Sequence, residues 1–283
     1  MADELVRAWV ADGSARALVA ECTELLAETV ARHGLAGEAV ELTGDLIVAN
    51  VLLGAWIKGA ERLSLQLQTE QPSASFFGEI DAEGQFRARV RCSPRASATV
   101  NGMMLAIKYD DRTELYRGVT ALEHDTVEAA LQRHLVQSDQ VIAIVRIHAG
   151  ADGRAVGLMV ERMPVEPGRP SLDDPEWEAL RSFIASAPAD DVASLIDGVV
   201  FGALGAHEVE AIDARPLVWR CRCSDLGVRQ MLIGLGAPSL REMADEDHGA
   251  EVTCHFCMQA RQFSEGELRE MAALVEAEGV AQA

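Results

Sequence analysis

The sequence predicts an α+β protein with three parts: an N-terminal domain of antiparallel sheet and helices, a helical linker, and a small C-terminal domain organised by cysteines. Short segments of residues 1–165 alternate apolar with polar side chains, four of the nine prolines fall within residues 164–175, and four of the six cysteines form two tight pairs near the C-terminus. We place the boundaries at 1–165, 166–219 and 220–283. A chain of 283 residues is long enough for more than one domain.

Two helical patterns are expected to open the N-terminal domain. Apolar side chains recur at the spacing of a half-buried helix at Leu18, Cys22, Leu25, Leu26 and Thr29. A second helix is predicted over about residues 43–58. Because Cys22 lies on the apolar face of the first pattern, we interpret it as a small buried hydrophobic residue.

Strand patterns follow these helices. Residues 63–68 alternate leucine with polar side chains, and residues 86–92 alternate apolar side chains with arginine, which turns Cys92 inward. Residues 82–84 and the pair at 101–102, Asn-Gly, have the composition of tight turns. We therefore predict antiparallel hairpins.

One more helix and two strands complete this domain. Asp125, followed three residues later by Glu128, predicts the start of a helix over residues 126–137, because the first side chain can cap a free N–H and the second favours the positive helix end. Residues 141–147 and 155–163 are predicted strands.

The predicted linker begins at the proline cluster. Two acidic, amphipathic helices are expected over about residues 175–187 and 190–204. The second has an apolar stripe formed by Val192, Leu195, Ile196, Val199 and Val200.

Charge and composition disfavour several kinds of partner. The chain has 45 Asp and Glu against 25 Lys and Arg, a formal net charge of −20, which opposes binding to nucleic acid or to an anionic membrane surface. The first ten residues lack the pattern of a secretory signal, and the longest apolar stretch, 46–57, contains Asn50 and is short for a membrane span. We expect a cytoplasmic protein, in which cysteine thiols stay reduced.

The paired cysteines predict a metal centre. Cys221 and Cys223 form C-x-C, Cys254 and Cys257 form C-x-x-C, and thirty residues separate the pairs. Zinc takes four ligands at tetrahedral corners, and two short cysteine pairs joined by a loop can supply them. We expect one zinc ion per reduced chain, which makes the C-terminal unit a small zinc-binding domain.

Other interpretations of the cysteines remain open. Cys254 and Cys257 could serve a thiol–disulfide oxidoreductase, although the next helix is predicted to start later, at a capping box from Ser264 to Glu267. A catalytic zinc site would replace one cysteine by His248 or His255. A nucleic-acid-binding zinc ribbon is disfavoured, because residues 217–283 contain six Arg and no Lys against eleven Asp or Glu.

The remaining motifs do not suggest an enzyme. The chain lacks a nucleotide-binding glycine loop in a strand–helix context and lacks the common hydrolase and protease signatures. A zinc-stabilised interaction module without redox function is a further alternative.

The cysteine pattern at the end of a chain of this length resembles the 33-kilodalton heat-shock protein family of redox-regulated holdase chaperones. Segments 63–68 (LSLQLQ) and 157–164 (GLMVERMP) stand at the expected places. The family signature is matched in order at Tyr116, Gly118, Leu122, Asp125, Leu131, Ser138 and Gln140. Met258 and Arg261 depart from the family, which has Gly or Asn and Tyr there.

The resemblance implies a protein that is not an enzyme. It is inactive while reduced and zinc-bound, and on oxidation it loses zinc, unfolds its C-terminal unit and linker, and captures unfolding client proteins without ATP. A homodimer of the oxidised form is also implied.

The pairing of the oxidised cysteines cannot be decided from the residues alone, since four cysteines allow three pairings. Closing the long loop between the pairs costs about 2 kcal/mol more than closing a short ring, but a C-x-C ring has poor geometry. The resemblance implies Cys221–Cys223 and Cys254–Cys257, and we adopt this pairing.

Overall fold

The computed structural model describes residues 2–69, 74–93, 99–150, 153–165, 167, 170–188, 192–200 and 202–281. The chain forms two compact units, Met1–Arg220 and Cys221–Ala283. Sheets and helices occur in both, which confirms the predicted α+β class.

The first unit contains two six-stranded sheets and the helices between and outside them. Its strands are β1 (Glu4–Val10), β2 (Ala15–Glu21), β3 (Arg62–Thr69), β4 (Ala74–Asp81), β5 (Gln85–Cys92), β6 (Val100–Tyr109), β7 (Glu114–Asp125), β8 (Ala143–Ala149), β9 (Ala155–Arg162), β10 (Ala203–Leu204), β11 (His207–Pro216) and β12 (Val218–Trp219). Its helices are α1 (Thr23–His33), α2 (Glu38–Leu53), α3 (Val127–His134), α4 (Asp174–Ser186) and α5 (Val192–Val200).

The strand order is β10-β11-β1-β2-β9-β8 in the first sheet and β12-β5-β4-β3-β6-β7 in the second. Neighbouring strands are antiparallel except β12, which runs parallel to β5. The two ends of the first unit meet in the first sheet, because β11 pairs along the whole of β1.

The prediction that the chain opens with helices is wrong, because residues 4–21 form the β1–β2 hairpin. Leu18 is a strand residue, and only Leu25, Leu26 and Thr29 belong to the buried face of α1. The error has a physical cause: most of β2 is buried on both faces, so its apolar residues do not alternate as they would in a half-exposed strand. Cys22 precedes α1 and is fully buried, as expected.

Helix α2 crosses the main apolar core. It starts five residues earlier than predicted, after Gly37, whose φ of 62° is accessible to glycine at little cost, and it ends in a tighter turn at Gly54–Trp56. The continuous helix Glu38–Trp56 is long and apolar enough to cross a membrane by length and composition. Most of it is buried inside the protein, which is typical of a core helix.

The predicted hairpin strands are present in the second sheet, and residues 82–84 form the turn between β4 and β5. The predicted turn at Asn101-Gly102 is wrong, because both residues lie in β6 beside a register shift. A Cβ atom at position 102 would lie 2.1 Å from the carbonyl oxygen of Gln68. Glycine is therefore needed here for close approach of two strands and not for a reversal of the chain.

Helix α3 begins one residue later than predicted, with Thr126 as its cap: the Thr126 hydroxyl accepts a hydrogen bond from the Ala129 N–H. The Asp125 carboxylate instead accepts from the Glu123 N–H and pairs with Arg133. The Glu128 carboxylate accepts from the Ile147 N–H, so it fastens α3 to β8.

Helices α4 and α5 cover the outer face of the first sheet. A buried cluster joins Trp177, Leu180 and Ile184 of α4 and the predicted stripe of α5 to strand residues such as Val19 and Leu158. The side chain of Val200 lies outside the described residues. The segment predicted to be a linker therefore buries its apolar side chains against the sheet, and its status as a linker stays a prediction.

Two arginines hold the ends of α4. Arg146 of β8 donates to the carbonyl oxygens of Ile184 and Ala187 at 2.8 and 2.9 Å. Arg162 of β9 donates to the Leu172 carbonyl oxygen at 2.8 Å and pairs with Asp174 at 2.8 Å. Both arginines are largely buried, so their hydrogen bonds to the three carbonyl oxygens are stronger than those of an exposed side chain. Asp174 is itself 87% exposed, so its ion pair with Arg162 adds little.

The second unit consists of α6 (Asp225–Ile233), α7 (Ala237–Asp245), the hairpin of β13 (Gly249–Thr253) and β14 (Ala260–Ser264), and α8 (Glu265–Ala281). The predicted capping box is present at the start of α8: the Glu267 carboxylate accepts from the Ser264 N–H at 2.9 Å, and the Glu267 N–H lies 3.4 Å from the Ser264 hydroxyl. The apolar core of the second unit is small. Its buried residues are Leu232, Ala237, Leu240, Ala244, Phe263, Leu268, Met271 and Ala272.

Candidate metal centre

The four paired cysteines come together in the second unit. Cys221 and Cys223 lie in irregular chain just before α6, and Cys254 and Cys257 lie in the turn between β13 and β14. Their sulfur atoms all lie within 4.8 Å of one another. The structure therefore brings together all four residues that the sequence proposed as ligands.

The C-x-x-C pair is presented by a tight turn at the end of the hairpin. The Cys254 N–H donates to the Gln259 carbonyl oxygen at 3.0 Å, and the Met258 N–H donates to the Cys254 carbonyl oxygen at 2.8 Å. Met258 adopts a φ of 56°, in the left-handed region that favours glycine or asparagine. This conformation gives a physical reason for the Gly or Asn usual at that position.

The C-x-C segment is fixed by polar contacts. The Ser224 hydroxyl caps α6 by accepting from the Gly227 N–H at 3.0 Å. Arg261 of β14 donates from Nε to Asp225 Oδ1 at 2.6 Å and from Nη2 to Cys223 Sγ at 3.4 Å. The arginine therefore connects the hairpin to the start of α6 and to one of the sulfur atoms.

The sulfur positions fit a tetrahedral metal ion. The distance between the sulfur atoms of Cys221 and Cys254 is 3.6 Å, and that between Cys223 and Cys257 is 3.4 Å. Zn–S bonds of about 2.3 Å at tetrahedral angles place neighbouring sulfur atoms about 3.8 Å apart. All four cysteines are free thiols, and four sulfur donors suit zinc better than a hard cation.

The histidines considered as alternative ligands lie outside this group. The group comprises the four cysteines alone among the described residues. His248 is 76% exposed in its side chain and lies 3.7 Å from Glu265, and His255 is exposed in the turn. The geometry therefore offers no support for a three-ligand catalytic site that uses either histidine.

The thiols of Cys221, Cys254 and Cys257 ionise unequally without a metal ion. Burial is the main cause that raises the pKa of Cys221 to about 12, and burial also raises the pKa of Cys257. Against the opposing effect of burial, the backbone N–H groups of Cys257 and Phe256 lower the pKa of Cys254 to about 7. Near neutral pH, four thiolates therefore require a cation that stabilises their negative charge.

The other two cysteines belong to the first unit and take no part in this group. Burial raises the pKa of Cys22 well above its ordinary value, and burial also raises that of Cys92. A thiol that resists ionisation is a poor nucleophile, so both residues are unsuited to redox chemistry.

Comparison with known proteins agrees with this architecture. A family model described as Hsp33 protein matches residues 3–264. A 33 kDa chaperonin from Syntrophotalea carbinolica is 30% identical, with 96% of this chain and 100% of that protein covered. A 33 kDa chaperonin from Enterococcus faecalis is 26% identical over 96% of each chain.

A solved structure supports the fold. The crystal structure of the 33 kDa chaperonin (heat shock protein 33 homolog) from Thermotoga maritima matches with a TM-score of 0.80 at 18% identity, covering 97% of this chain and 99% of that one. The chain thus shares its fold with this chaperonin.

The chain belongs to the Hsp33 protein family. Members of this family are chaperones and not enzymes, which confirms the family and the non-enzymatic class inferred from the sequence.

Metal content tests the assignment of ligands. Each reduced chain is expected to hold one zinc ion through the four cysteines, and Cys254→Ser/Cys257→Ser should lose it, because two of the four sulfur ligands are gone. Metal analysis of the purified proteins measures this. Cys22→Ala/Cys92→Ala is the control and should keep its zinc; a full zinc content in the first variant would refute the assignment.

The left-handed residue in the turn offers a second test. Met258→Gly is expected to stabilise the zinc-bound second unit by about 0.5–1 kcal/mol, because glycine adopts this φ without steric strain. The urea concentration at which zinc is released to a chromophoric chelator measures the effect. Gln259→Gly is the control. The φ of Gln259 is not positive, so glycine relieves no strain there and should lower the urea concentration at which zinc is released. A decrease of similar size in both variants would contradict the assigned strain.

Proposed function

We propose that the protein is a redox-regulated, ATP-independent holdase, which binds unfolding proteins after its four clustered thiols have been oxidised. Family membership supports a chaperone. The redox part rests on one observation: four thiols from two distant segments converge within 4.8 Å, which suits reversible exchange between metal binding and disulfides.

In the reduced state the four cysteines hold one zinc ion. When bound, zinc would supply four metal–sulfur bonds that connect residues 221–223 to the β13–β14 hairpin. The small apolar core of the second unit is formed by the helices and the hairpin strands and includes no residue of the 221–224 segment. A domain of this size gains much of its folding free energy from its metal, of order 10 kcal/mol in comparable zinc peptides.

Oxidation removes the negative charge that binds the metal. Each peroxide molecule accepts two electrons from two thiolates, its O–O bond breaks, one S–S bond forms, and two hydroxide ions are released. Two peroxide molecules therefore convert four thiolates into two disulfides. Sulfur atoms in disulfides are poor zinc ligands, so the segment that contains Cys221 and Cys223 loses its attachment to the hairpin.

Loss of the metal can affect the first unit, because the second unit follows it directly in the chain. The Arg220 N–H donates to the Phe86 carbonyl oxygen at 2.7 Å, and Cys221 is the next residue. We propose that loss of the metal frees the preceding segment, residues 166–219, to unfold locally. Its unfolding would expose the apolar stripe of α5 and the outer face of the first sheet, which form one buried cluster in the folded state.

This surface suits client proteins that expose apolar side chains while they unfold. We further propose a cytoplasmic location, where reduced thiols and bound zinc are the resting state. Homodimerisation of the oxidised form is part of the proposal. Nucleic acid and membranes are not expected partners because of the acidic charge of the chain.

A thiol–disulfide oxidoreductase is the second candidate, because Cys254 has a pKa lowered to about 7. Its environment is less suited to catalysis than that of a typical redox-active C-x-x-C pair. The pair lies in a turn, and the next helix begins only at Glu265, so a helix dipole does not activate the thiol.

Peroxide treatment tests the proposed activation. The reduced protein is expected to leave the aggregation of a chemically unfolded client unchanged, and the peroxide-treated protein should suppress it, as measured by light scattering. Dithiothreitol with zinc should reverse the effect. Cys22→Ala/Cys92→Ala should activate normally, because neither thiol reacts readily. Equal suppression by the reduced protein would favour a constitutive module, and reduction of insulin would favour the oxidoreductase.

Hydrogen exchange tests local unfolding. Amide exchange between residues 171 and 219 should become faster after peroxide treatment, because the segment loses its fixed C-terminal connection. The strands β3, β4 and β6 are internal references and should remain protected. Slow exchange throughout residues 171–219 in a fully oxidised sample would refute the coupling between the two regions.

Peptide mapping tests the disulfide pairing. The oxidised protein is expected to contain Cys221–Cys223 and Cys254–Cys257, since local pairs leave the intervening chain free to unfold and avoid closure of a long loop. Mass spectrometry of a digest prepared at acidic pH, where exchange is slow, identifies the linked peptides. A predominant link between the first pair and the second pair would show the proposed pairing to be wrong.

A further inference from the structure

Arg261 contacts one sulfur atom of the thiol cluster in a fixed orientation. Its Nη2 atom lies 3.4 Å from Cys223 Sγ, and its Nε atom lies 2.6 Å from Asp225 Oδ1. Its side chain is only 16% exposed. Because the guanidinium group is planar and rigid, the carboxylate bound at Nε helps to fix the position of Nη2 beside the sulfur.

The position of the Arg261 side chain has an unfavourable free-energy contribution that packing alone does not explain. The remaining nitrogen, Nη1, is buried and has no hydrogen-bond partner in the described part of the chain. A buried N–H group without a partner is unfavourable. The guanidinium group is thus held beside the sulfur even though one of its own donors stays unsatisfied.

We propose that Arg261, oriented by Asp225, is a positioning residue that lowers the reactivity of Cys223 toward oxidants and so sets the peroxide sensitivity of the cluster. The inference rests on the proposed redox function. It concerns a residue that differs from the Tyr usual at this position, so it is a property of this chain.

The direction of the effect follows from the state of the sulfur. A cation usually activates a cysteine by converting thiol to thiolate. A zinc-bound sulfur is already a thiolate, so that gain is absent. What remains is the hydrogen bond, which withdraws electron density from the sulfur, reduces its nucleophilicity and stabilises it as a ligand.

The step that Arg261 slows is the attack of the Cys223 sulfur on peroxide. An S–O bond forms, the O–O bond breaks, and hydroxide leaves, which gives a sulfenic acid. A second thiolate then attacks this sulfur, an S–S bond forms, and a second hydroxide leaves. Peroxide accepts two electrons in total, and the two thiolates supply them.

Zinc release compares the variants. Arg261→Met removes the hydrogen bond and the charge but keeps an unbranched side chain of similar length, and Arg241→Met is the control. Arg241 is an exposed residue of the same unit, paired with Glu276 at 2.7 Å, so both variants lose one positive charge. Peroxide-driven release, followed with a chromophoric chelator, should be roughly tenfold faster in Arg261→Met and unchanged in Arg241→Met.

A second readout separates reactivity from general loosening. Zinc-loaded protein is treated with a limiting amount of iodoacetamide, and mass spectrometry gives the ratio of modified Cys223 to modified Cys221. This ratio should rise in Arg261→Met and also in Asp225→Asn, which keeps the arginine but removes its orienting partner. Arg261→Lys retains the positive charge but has fewer hydrogen-bond donors, so it should give an intermediate ratio. If Arg261→Met purifies without zinc, Arg261→Lys is used in its place.

An unchanged ratio in both Arg261→Met and Asp225→Asn would overturn the inference. The inference would also be overturned if Arg261→Met accelerated zinc release equally with and without peroxide and left the ratio unchanged. That pattern would indicate a structural role only. The ratio is measured without a client protein. A wild-type protein that fails to suppress aggregation would therefore refute the proposed function and leave the effect of Arg261 separately decided.

Discussion

The mutual repulsion of four thiolates is the constraint on which the second unit depends. Sulfur atoms within 4.8 Å of one another cannot all be negatively charged unless a cation lies among them. The apolar core of the unit is formed by the helices and the hairpin strands, and it includes no residue of the 221–224 or 254–259 segments. The two segments that bear the four cysteines therefore meet through the sulfur atoms themselves and through Arg261.

The cysteine centre was predictable because its information is local. C-x-C and C-x-x-C each place two thiols within one turn of chain, and all four thiols meet in the fold. The opening hairpin was not predictable in the same way, since β2 is covered on both faces by elements distant in the sequence. The contact between Arg261 and Asp225 was not predictable for the same reason, because the two residues lie 36 positions apart in the sequence. A pattern within a window of residues does not contain such a contact.

The helices of the predicted linker show a related limit. Their apolar stripe is visible in the sequence, but the surface that it covers and the two arginines that hold α4 are visible only in the fold. These contacts restrict how the segment can unfold. Four hydrogen-bonded or ion-paired contacts to largely buried guanidinium groups, together with the buried cluster, must be lost before α4 leaves the sheet. Local unfolding must therefore proceed as a cooperative event and not as fraying of a loosely attached helix.

Two departures from the family pattern lie close together, Met258 in the β13–β14 turn and Arg261 in β14. Met258 adopts a left-handed backbone conformation, which is unfavourable for any residue that has a Cβ atom. The folded turn is therefore less stable, and a bound metal ion would have to supply more of the folding free energy. Arg261 contacts a sulfur atom, and we propose that it lowers the rate at which that sulfur reacts with oxidants. In the proposed switch, a lower stability favours opening and a protected sulfur delays it, so the two residues would act in opposite directions. A switch built in this way would allow the threshold for oxidation to be adjusted without any change in the four cysteines.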